Sequence, residues 1–421
     1  MQAWTALNRH PRLLVVLAVA VALRCLWAFA VPVHPVSDGF LYEAFAQSLA
    51  SGRGYAYPAG NLTAYWPVGT SAVYALLIRL FGESYFPLLA LNVLLGLVMA
   101  ALTWQLAARA VGHREAVAAS AIVACWPVLI QFTTVLASEL LFTTLLLAAV
   151  LAFGDSAQRS WRRDALWALL LAASAFVRPT SLALFALMPF AAFIWTRQGA
   201  RLVRTLIIGA VVAAAVIGPW ALRNQAVFGS PALISTNFGP NLWMGNNSQS
   251  QGGYMPLPER PVFDNEVDRD RHFRALAFNA IAEDPLRYLR LCLRRLVTTH
   301  DRETIGVAWN ESALRAMLGA SGLTALKLGS TAYWYAVVVL AAAGLWSSVR
   351  RGRAGPLRML LLVSAFLVAM PVLTVAQDRY HLPLNPFLAV LAGIAVIQIV
   401  DAWRRRRSAS RLTTAIEMGI Q

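Results

Sequence analysis

Leu13 to Phe40 reads LLVVLAVAVALRCLWAFAVPVHPVSDGF. From 13 to 33 the run is apolar throughout, with Arg24 the one charged residue inside it. A helix rises ~1.5 Å per residue, so about 20 such residues cross the ~30 Å hydrocarbon core of a bilayer. Arg9 and Arg12 precede the run, and Ala28-Phe29-Ala30 imitates a cleavage site. The run is long for a signal peptide, so an uncleaved first span is predicted. Asp38 follows the span directly, in Pro35-Val36-Ser37-Asp38-Gly39, which puts a carboxylate at the outer interface.

The rest of the chain repeats this pattern. Of 421 residues, 58% are hydrophobic and 13% charged. Soluble domains carry roughly 25% charge. A soluble enzyme, a secreted disulfide scaffold and a disordered chain are excluded, and an all-α polytopic integral membrane protein is predicted. About ten transmembrane helices are read at 13–33, 86–108, 116–133, 139–154, 165–177, 180–196, 205–222, 330–349, 359–376 and 382–402. The segment 165–177 is short and must tilt or extend. Cys25, Cys125 and Cys292 show no paired spacing, so neither a disulfide framework nor a metal site is implied.

The chain has 36 basic and 20 acidic residues, a net charge of +16, with Lys327 the one lysine. In a soluble protein this would suggest nucleic acid. Here the charge sorts by loop. Arg9/Arg12, Arg109/Arg114, Arg159/Arg162/Arg163, Arg197/Arg201/Arg204, Arg350 to Arg358 and Arg404 to Arg407 fall in alternate linkers. The positive-inside rule then puts both termini in the cytoplasm. Trp66 to Phe81 breaks the alternation if it spans, so it is predicted as a re-entrant or interfacial helix on the outer side, held by packing.

Three regions follow: 1–222 with a first outer loop 34–85, a large outer loop 223–328, and C-terminal helices with a short basic tail over 329–421. The large loop opens with Asn, Gly, Ser and Pro, which read as loop. It continues with apolar Phe273, Leu276, Ala277, Ala280 and Ile281 at helical spacing. Asp284-Pro285 starts another helix, with an apolar face of Leu286, Leu289, Leu293 and Leu296 and a basic stripe of Arg287, Arg290 and Arg294. Such a helix suits a membrane surface.

The chemistry-bearing residues cluster in the outer segments. Asp38 suits a general base for a hydroxyl, or a simple helix N-cap for the stretch after it. Glu139 opens a later span, either as a plain cap with Ser138 or as a functional acid at membrane depth. Glu43, a helical turn beyond Asp38, reads as part of a solvated face. Arg178, Arg223 and Arg379 flank spans on the predicted outer side, where positive charge is otherwise avoided. Any one of them is most simply a snorkelling side chain. Three together point to an anionic ligand, since arginine grips phosphate with a two-pronged fork. Arg24 is expected to pair with a carboxylate or line a cavity. No histidines share metal-ligand spacing on one helix, and no Walker loop or G-x-S-x-G elbow is present.

In this order the motifs resemble the GT-C superfamily of polyprenyl-phosphate-sugar glycosyltransferases. The branch they most resemble contains protein O-mannosyltransferases and aminoarabinose-transferase-like proteins. The resemblance rests on Asp38 after span one, Tyr65-Trp66-Pro67-Val68-Gly69 leading to Phe81-Gly82, and Ser138 to Phe142. It also rests on Arg178-Pro179-Thr180, Arg223-Asn224 with Phe228-Gly229, Asn241 to Asn247, and Arg379-Tyr380-His381-Leu382-Pro383. It implies a GT-C-like fold whose N-terminal module, 1–222, is catalytic. It further implies a multi-pass protein of the bacterial inner membrane with its site facing the periplasm. The implied donor is a sugar on undecaprenyl phosphate, and the acceptor is a lipid, a glycan or a protein. Membrane lipids are partners; nucleic acid is not. Asp38 would be the base and Glu139 would position the acceptor. Arg223 and Arg379, then Arg178, would hold the donor phosphate. Tyr65, Trp66, Asn241, Asn246 and Tyr380 would contact substrate. No sequence motif requires a metal, and the resemblance leaves a divalent ion open. A lipid-linked sugar flippase predicts a polar path through the spans, where Arg24 is the clear candidate. A non-catalytic scaffold predicts that the outer carboxylates are dispensable, and an O-antigen ligase relies on basic and His residues in a late outer loop.

Overall fold

A computed structural model describes residues 11–154 and 160–419, with side chains described to residue 408. Arg9 and Arg159 of the topology argument lie outside the described residues. The helices are α1 (Pro11–Ala30), α2 (Asp38–Ala50), α3 (Gly69–Phe81), α4 (Phe86–Ala110), α5 (His113–Ala124) and α6 (Pro127–Gln131). Then come α7 (Glu139–Phe153), α8 (Trp161–Val177), α9 (Leu184–Thr196), α10 (Gly199–Phe228), α11 (Phe238–Asn246) and α12 (Glu266–Glu283). The chain continues through α13 (Pro285–His300), α14 (Ile305–Ala308), α15 (Glu311–Arg350), α16 (Arg358–Leu373) and α17 (Asn385–Gly419). Tight 3-10 turns cover Phe132–Thr134, Pro179–Ala183, Gly355–Leu357 and Asp378–Leu384. Among the described residues, β-pairing is limited to isolated bridges.

All ten predicted spans fall in helical segments. Among the described residues, seven helices are long and apolar enough to cross a bilayer, or up to eight if one bent pair counts as a span. That bent pair replaces the straight span expected at 116–133. Its halves, His113–Ala124 and Pro127–Thr134, meet at 53°. Trp126 is extended because it precedes Pro127, whose ring disfavours a helical residue before it. The predicted spans at 139–154 and 165–177 lie in helices of 15 and 17 residues. At ~1.5 Å per residue these are short for a bilayer. Most of α7 is buried against protein, so its length is set by its neighbours rather than by lipid. The helix predicted at 330–349 begins earlier, at Glu311, and breaks its backbone at Gly319.

The core is a single large apolar cluster that includes the fully buried Trp126, Trp167, Phe132, Phe142 and Phe387. Within it α5 packs on α4 and α17, α7 packs on α8, and α15 runs along α17. Smaller clusters join α2 to α3. The 13-residue α3 is short for a span and packs on α2. Arg24 is fully buried and, among the described residues, meets no carboxylate. Its Nη1 donates to the carbonyls of Ala20 (3.0 Å) and Ala124 (3.1 Å). Through Nη1 it staples α1 to α5.

Candidate active site

Two close backbone approaches build the site. A side chain at Gly39 would place its Cβ 2.9 Å from the carbonyl oxygen of Leu136, so the first turn of α2 lies against the segment leading into Ser138 and Glu139. At Gly69 the same atom would lie 2.7 Å from the carbonyl oxygen of Phe176, which brings the start of α3 beside Arg178. Larger residues would push these elements apart.

Asp38, Glu139, Arg178 and Arg379 come together as a row of alternating charge. Arg379 Nη1 lies 2.6 Å from Asp38 Oδ2 and 3.8 Å from Glu139 Oε1. Arg178 Nη2 donates to the same Glu139 oxygen at 2.5 Å, and its Nε donates to Ser138 Oγ at 3.2 Å. Glu139 is 1% exposed and Arg379 7%, while Asp38 and Arg178 keep 14% and 18%. The row therefore runs from a buried centre to two ends that solvent reaches. Neither carboxylate caps its helix through Ser37 or Ser138, whose side chains make no capping bond. The simple-cap readings of Asp38 and Glu139 give way to ion pairing.

Aromatic rings frame the guanidiniums. Arg379 sits 4.9 Å from the Trp309 ring and 5.4 Å from that of Tyr380. Arg178 sits 5.6 Å from Tyr380 and 5.5 Å from Phe142. Tyr380, predicted as a substrate contact, thus bridges the two arginines. Cation–π contact holds each guanidinium in place while leaving its charge intact.

Tyr42, one turn beyond Asp38, was not singled out in the sequence, although its spacing from Asp38 is the available signal. It is buried, and burial first, then the charges of Asp38 and Glu139, push its phenol well above its ordinary value. Glu43 is not a solvated face: it accepts a hydrogen bond from Tyr85 Oη at 2.7 Å. Burial and that carboxylate push the Tyr85 phenol up to about 12.

The remaining predicted residues lie around the row. Tyr65 is covered by the Arg269 guanidinium at 4.7 Å and meets the Trp66 ring edge-on at 5.3 Å. Trp66 is 6.2 Å from the Tyr42 ring. Arg223 directs its hydrogen bonds elsewhere, from Nη1 to Thr63 O (2.9 Å) and from Nη2 to Tyr55 O (3.3 Å). Glu266 fastens the same loop, accepting from Thr63 Oγ1 (2.6 Å) and Ala64 N (2.8 Å). Asn246 is buried, donating to Leu242 O and accepting from Arg295 at 3.1 Å. Asn241 lies half-buried on α11. Among the described residues no three His, Cys, Asp or Glu side chains group as a metal site.

The same fold occurs in solved glycosyltransferases of the GT-C type. ArnT from Cupriavidus metallidurans bound to undecaprenyl phosphate superimposes with a TM-score of 0.57 at 15% identity, over 96% of this chain and 64% of that one. The Archaeoglobus fulgidus oligosaccharyltransferase in complex with zinc and sulfate gives 0.58 at 14% identity, over 96% and 51%. The archaeal oligosaccharyltransferase AglB from Archaeoglobus fulgidus, in complex with an inhibitory peptide and a dolichol-phosphate, gives 0.56 at 14%, over 96% and 51%. The chain thus spans about half to two thirds of the length of the structures it resembles. It has the GT-C fold. Residues 66–222 match the family described as dolichyl-phosphate-mannose-protein mannosyltransferase. No curated protein matches the chain.

Proposed function

We propose that the chain is a membrane glycosyltransferase that moves a sugar from a polyprenyl phosphate, such as undecaprenyl phosphate, to a hydroxyl of a cell-envelope acceptor. The reaction takes place on the periplasmic face of the inner membrane. The observation that carries this reading is the row Asp38–Arg379–Glu139–Arg178, two carboxylates and two guanidiniums drawn together from α2, α7 and the turns that begin near 178 and 378. Asp38 takes the proton of the acceptor hydroxyl. The acceptor oxygen bonds to the anomeric carbon as the bond from that carbon to the phosphate oxygen breaks, inverting the centre. The polyprenyl phosphate leaves with one more negative charge, which Arg178 and Arg379 stabilise as it develops. Glu139 orients both guanidiniums. Tyr65, Trp66 and Tyr380 offer ring faces to the sugar or prenyl chain.

This reading reorders the phosphate ligands. Arg178 joins Arg379 in the leading role, and Arg223 holds the loop that presents Tyr65 and Trp66.

The deciding experiment measures sugar transfer from polyprenyl-phosphate donors in membranes, with wild type and Asp38→Asn at equal abundance. Turnover is expected to fall by at least about 100-fold, the lower end of the range for loss of a general base. Unchanged turnover removes Asp38 from the chemistry. Orientation is checked by labelling Glu259→Cys with a membrane-impermeant maleimide after Cys25, Cys125 and Cys292 are replaced. The exposed 259 position is expected to react from outside the cell, and reaction only after the membrane is breached reverses the topology.

A further inference from the structure

A second polar cluster packs against the turn that carries Arg379, and the transfer chemistry does not touch it. Glu303, in the connection between α13 and α14, is 0% exposed. Its carboxylate accepts from Trp126 Nε1 at 2.9 and 3.0 Å and from Asn385 Nδ2 at 3.1 Å. It also faces His381 Nε2 at 3.3 Å. The other ring nitrogen, His381 Nδ1, is 2.6 Å from the carbonyl oxygen of Thr299. A carbonyl only accepts, so Nδ1 carries a proton there. A hydrogen bond across the gap between Nε2 and Glu303 then requires one further proton on either partner. Trp334 stacks on the imidazole at 4.1 Å.

The pair belongs to a strap. Thr304, next to Glu303, donates from Oγ1 to Asp378 Oδ2 at 3.0 Å. The stretch 299–304 therefore grips the 3-10 turn Asp378–Leu384 on both sides of Arg379, at Asp378 before it and at His381 after it. A buried carboxylate is weak evidence for stability, because apolar residues of similar size often pack as well or better. Its location suggests a different use.

We infer that Glu303 and His381 are positioning residues, which fix the turn so that Arg379 meets Asp38 and Glu139 at the same time. Arg379 Nη1 reaches two carboxylates from one point. A misplacement of about 1 Å at a reacting centre costs on the order of 100-fold in rate. The inference rests on the transferase reading for its kinetic arm and on the geometry alone for its structural arm.

The test uses the full chain in lipid nanodiscs. Glu303→Gln and Thr304→Val are made in wild type and in Arg379→Lys. kcat, KM for a polyprenyl-phosphate sugar, thermal midpoint and amide hydrogen exchange over 378–384 are read for each. In the wild-type background, Glu303→Gln is expected to lower kcat about 10- to 100-fold with KM within about 3-fold, and to raise exchange across the turn. In the Arg379→Lys background the same change is expected to cost less than about 3-fold, because Arg379 is the route by which it acts. An equal loss in both backgrounds, or unchanged exchange, overturns the inference. If Glu303→Gln does not fold, Thr304→Val carries the same comparison, since it cuts only the Asp378 end of the strap. A wild type inert with every donor tried sinks the transferase reading, and exchange in the variants still decides the strap.

Discussion

Two regions of the molecule use arginine differently. Around α2 and α7 the guanidiniums face carboxylates: Arg379 meets Asp38 and Glu139, and Arg178 meets Glu139. In the large loop after α10, Arg271 and Arg274 pair with Asp268 and Asp270, while two others face backbone carbonyls. Arg287 donates to the carbonyls of Asn246, Asn247, Ser248 and Ser250. Arg295, fully buried, donates to those of Gly245 (3.1 Å) and Thr374 (2.7 Å). Arg223 does the same for Thr63 and Tyr55. An arginine on carbonyls ties down irregular backbone whose acceptors need partners. An arginine on a carboxylate holds a charge that an incoming anion can compete for. Under the transferase reading, the first arrangement is architecture and the row at Arg379 is poised for chemistry.

That contrast breaks first, if it breaks, at Arg379. Lysine keeps the charge and loses the planar fork. Arg379→Lys is expected to lower kcat/KM about 100- to 1000-fold, the scale of losing one preorganised donor at a developing anion. Transfer kinetics on the purified variant check this, and a loss below about 5-fold would place Arg379 with the architectural arginines. Glu139→Gln comes next. The amide keeps the shape and a hydrogen-bond acceptor but no longer balances Arg178 and Arg379. A fall in kcat of about 10- to 100-fold is expected, smaller than for Arg379 because Glu139 acts through the guanidiniums.

Arg295→Met tests the other side of the comparison. It removes the arginine donor from the carbonyl of Gly245 and leaves that of Thr374 with only the 3.4 Å bond from Asn246, a loss of about 1–3 kcal/mol for a buried group left unpaired. The thermal midpoint and the amount of folded protein should drop. Activity per folded molecule should stay within about 3-fold. A selective loss of kcat with an unchanged midpoint would move Arg295 into the site and blur the distinction.

The sequence made the positions of the charged residues legible and left their partners hidden. Asp38 stands out because it follows a run of apolar residues, and Arg379 because it lies on the side where positive charge is rare. Nothing along the chain distinguishes a carboxylate from a carbonyl as the acceptor that a folded arginine finds. Arg178 and Arg223 therefore looked alike, though one ends on Glu139 and the other on Thr63 and Tyr55. Glu303 was invisible for the opposite reason. It stands in His300-Asp301-Arg302-Glu303, a polar run that reads as exposed, and only the fold buries it beneath Trp126. The break at Trp126-Pro127 was readable from the proline, yet the length of the apolar run concealed it.

The smallest expected effect concerns Tyr42, which lies beside the row without a charge of its own. Burial, with Asp38 and Glu139 nearby, holds its phenol above the ordinary value of 10.0 in the folded state. In the unfolded chain the phenol ionises near that value. Above pH 10 the unfolded state therefore binds fewer protons at this site than the folded state, and stability falls as pH rises. The contribution is fully present below pH 10 and is lost on the alkaline side, with a slope of at most about 1.4 kcal/mol per pH unit for one group. Tyr42→Phe removes that proton linkage. Its alkaline unfolding should be shallower than that of wild type, while transfer near neutral pH should change less than about 3-fold, because a neutral phenol supplies no charge to the row. Unfolding followed by circular dichroism between pH 9 and 11 reads the slope. An equal slope in both proteins would show that the phenol ionises as freely in the fold as outside it. Asp38 and Glu139 would then lie in a wetter setting than their pairing with Arg379 describes.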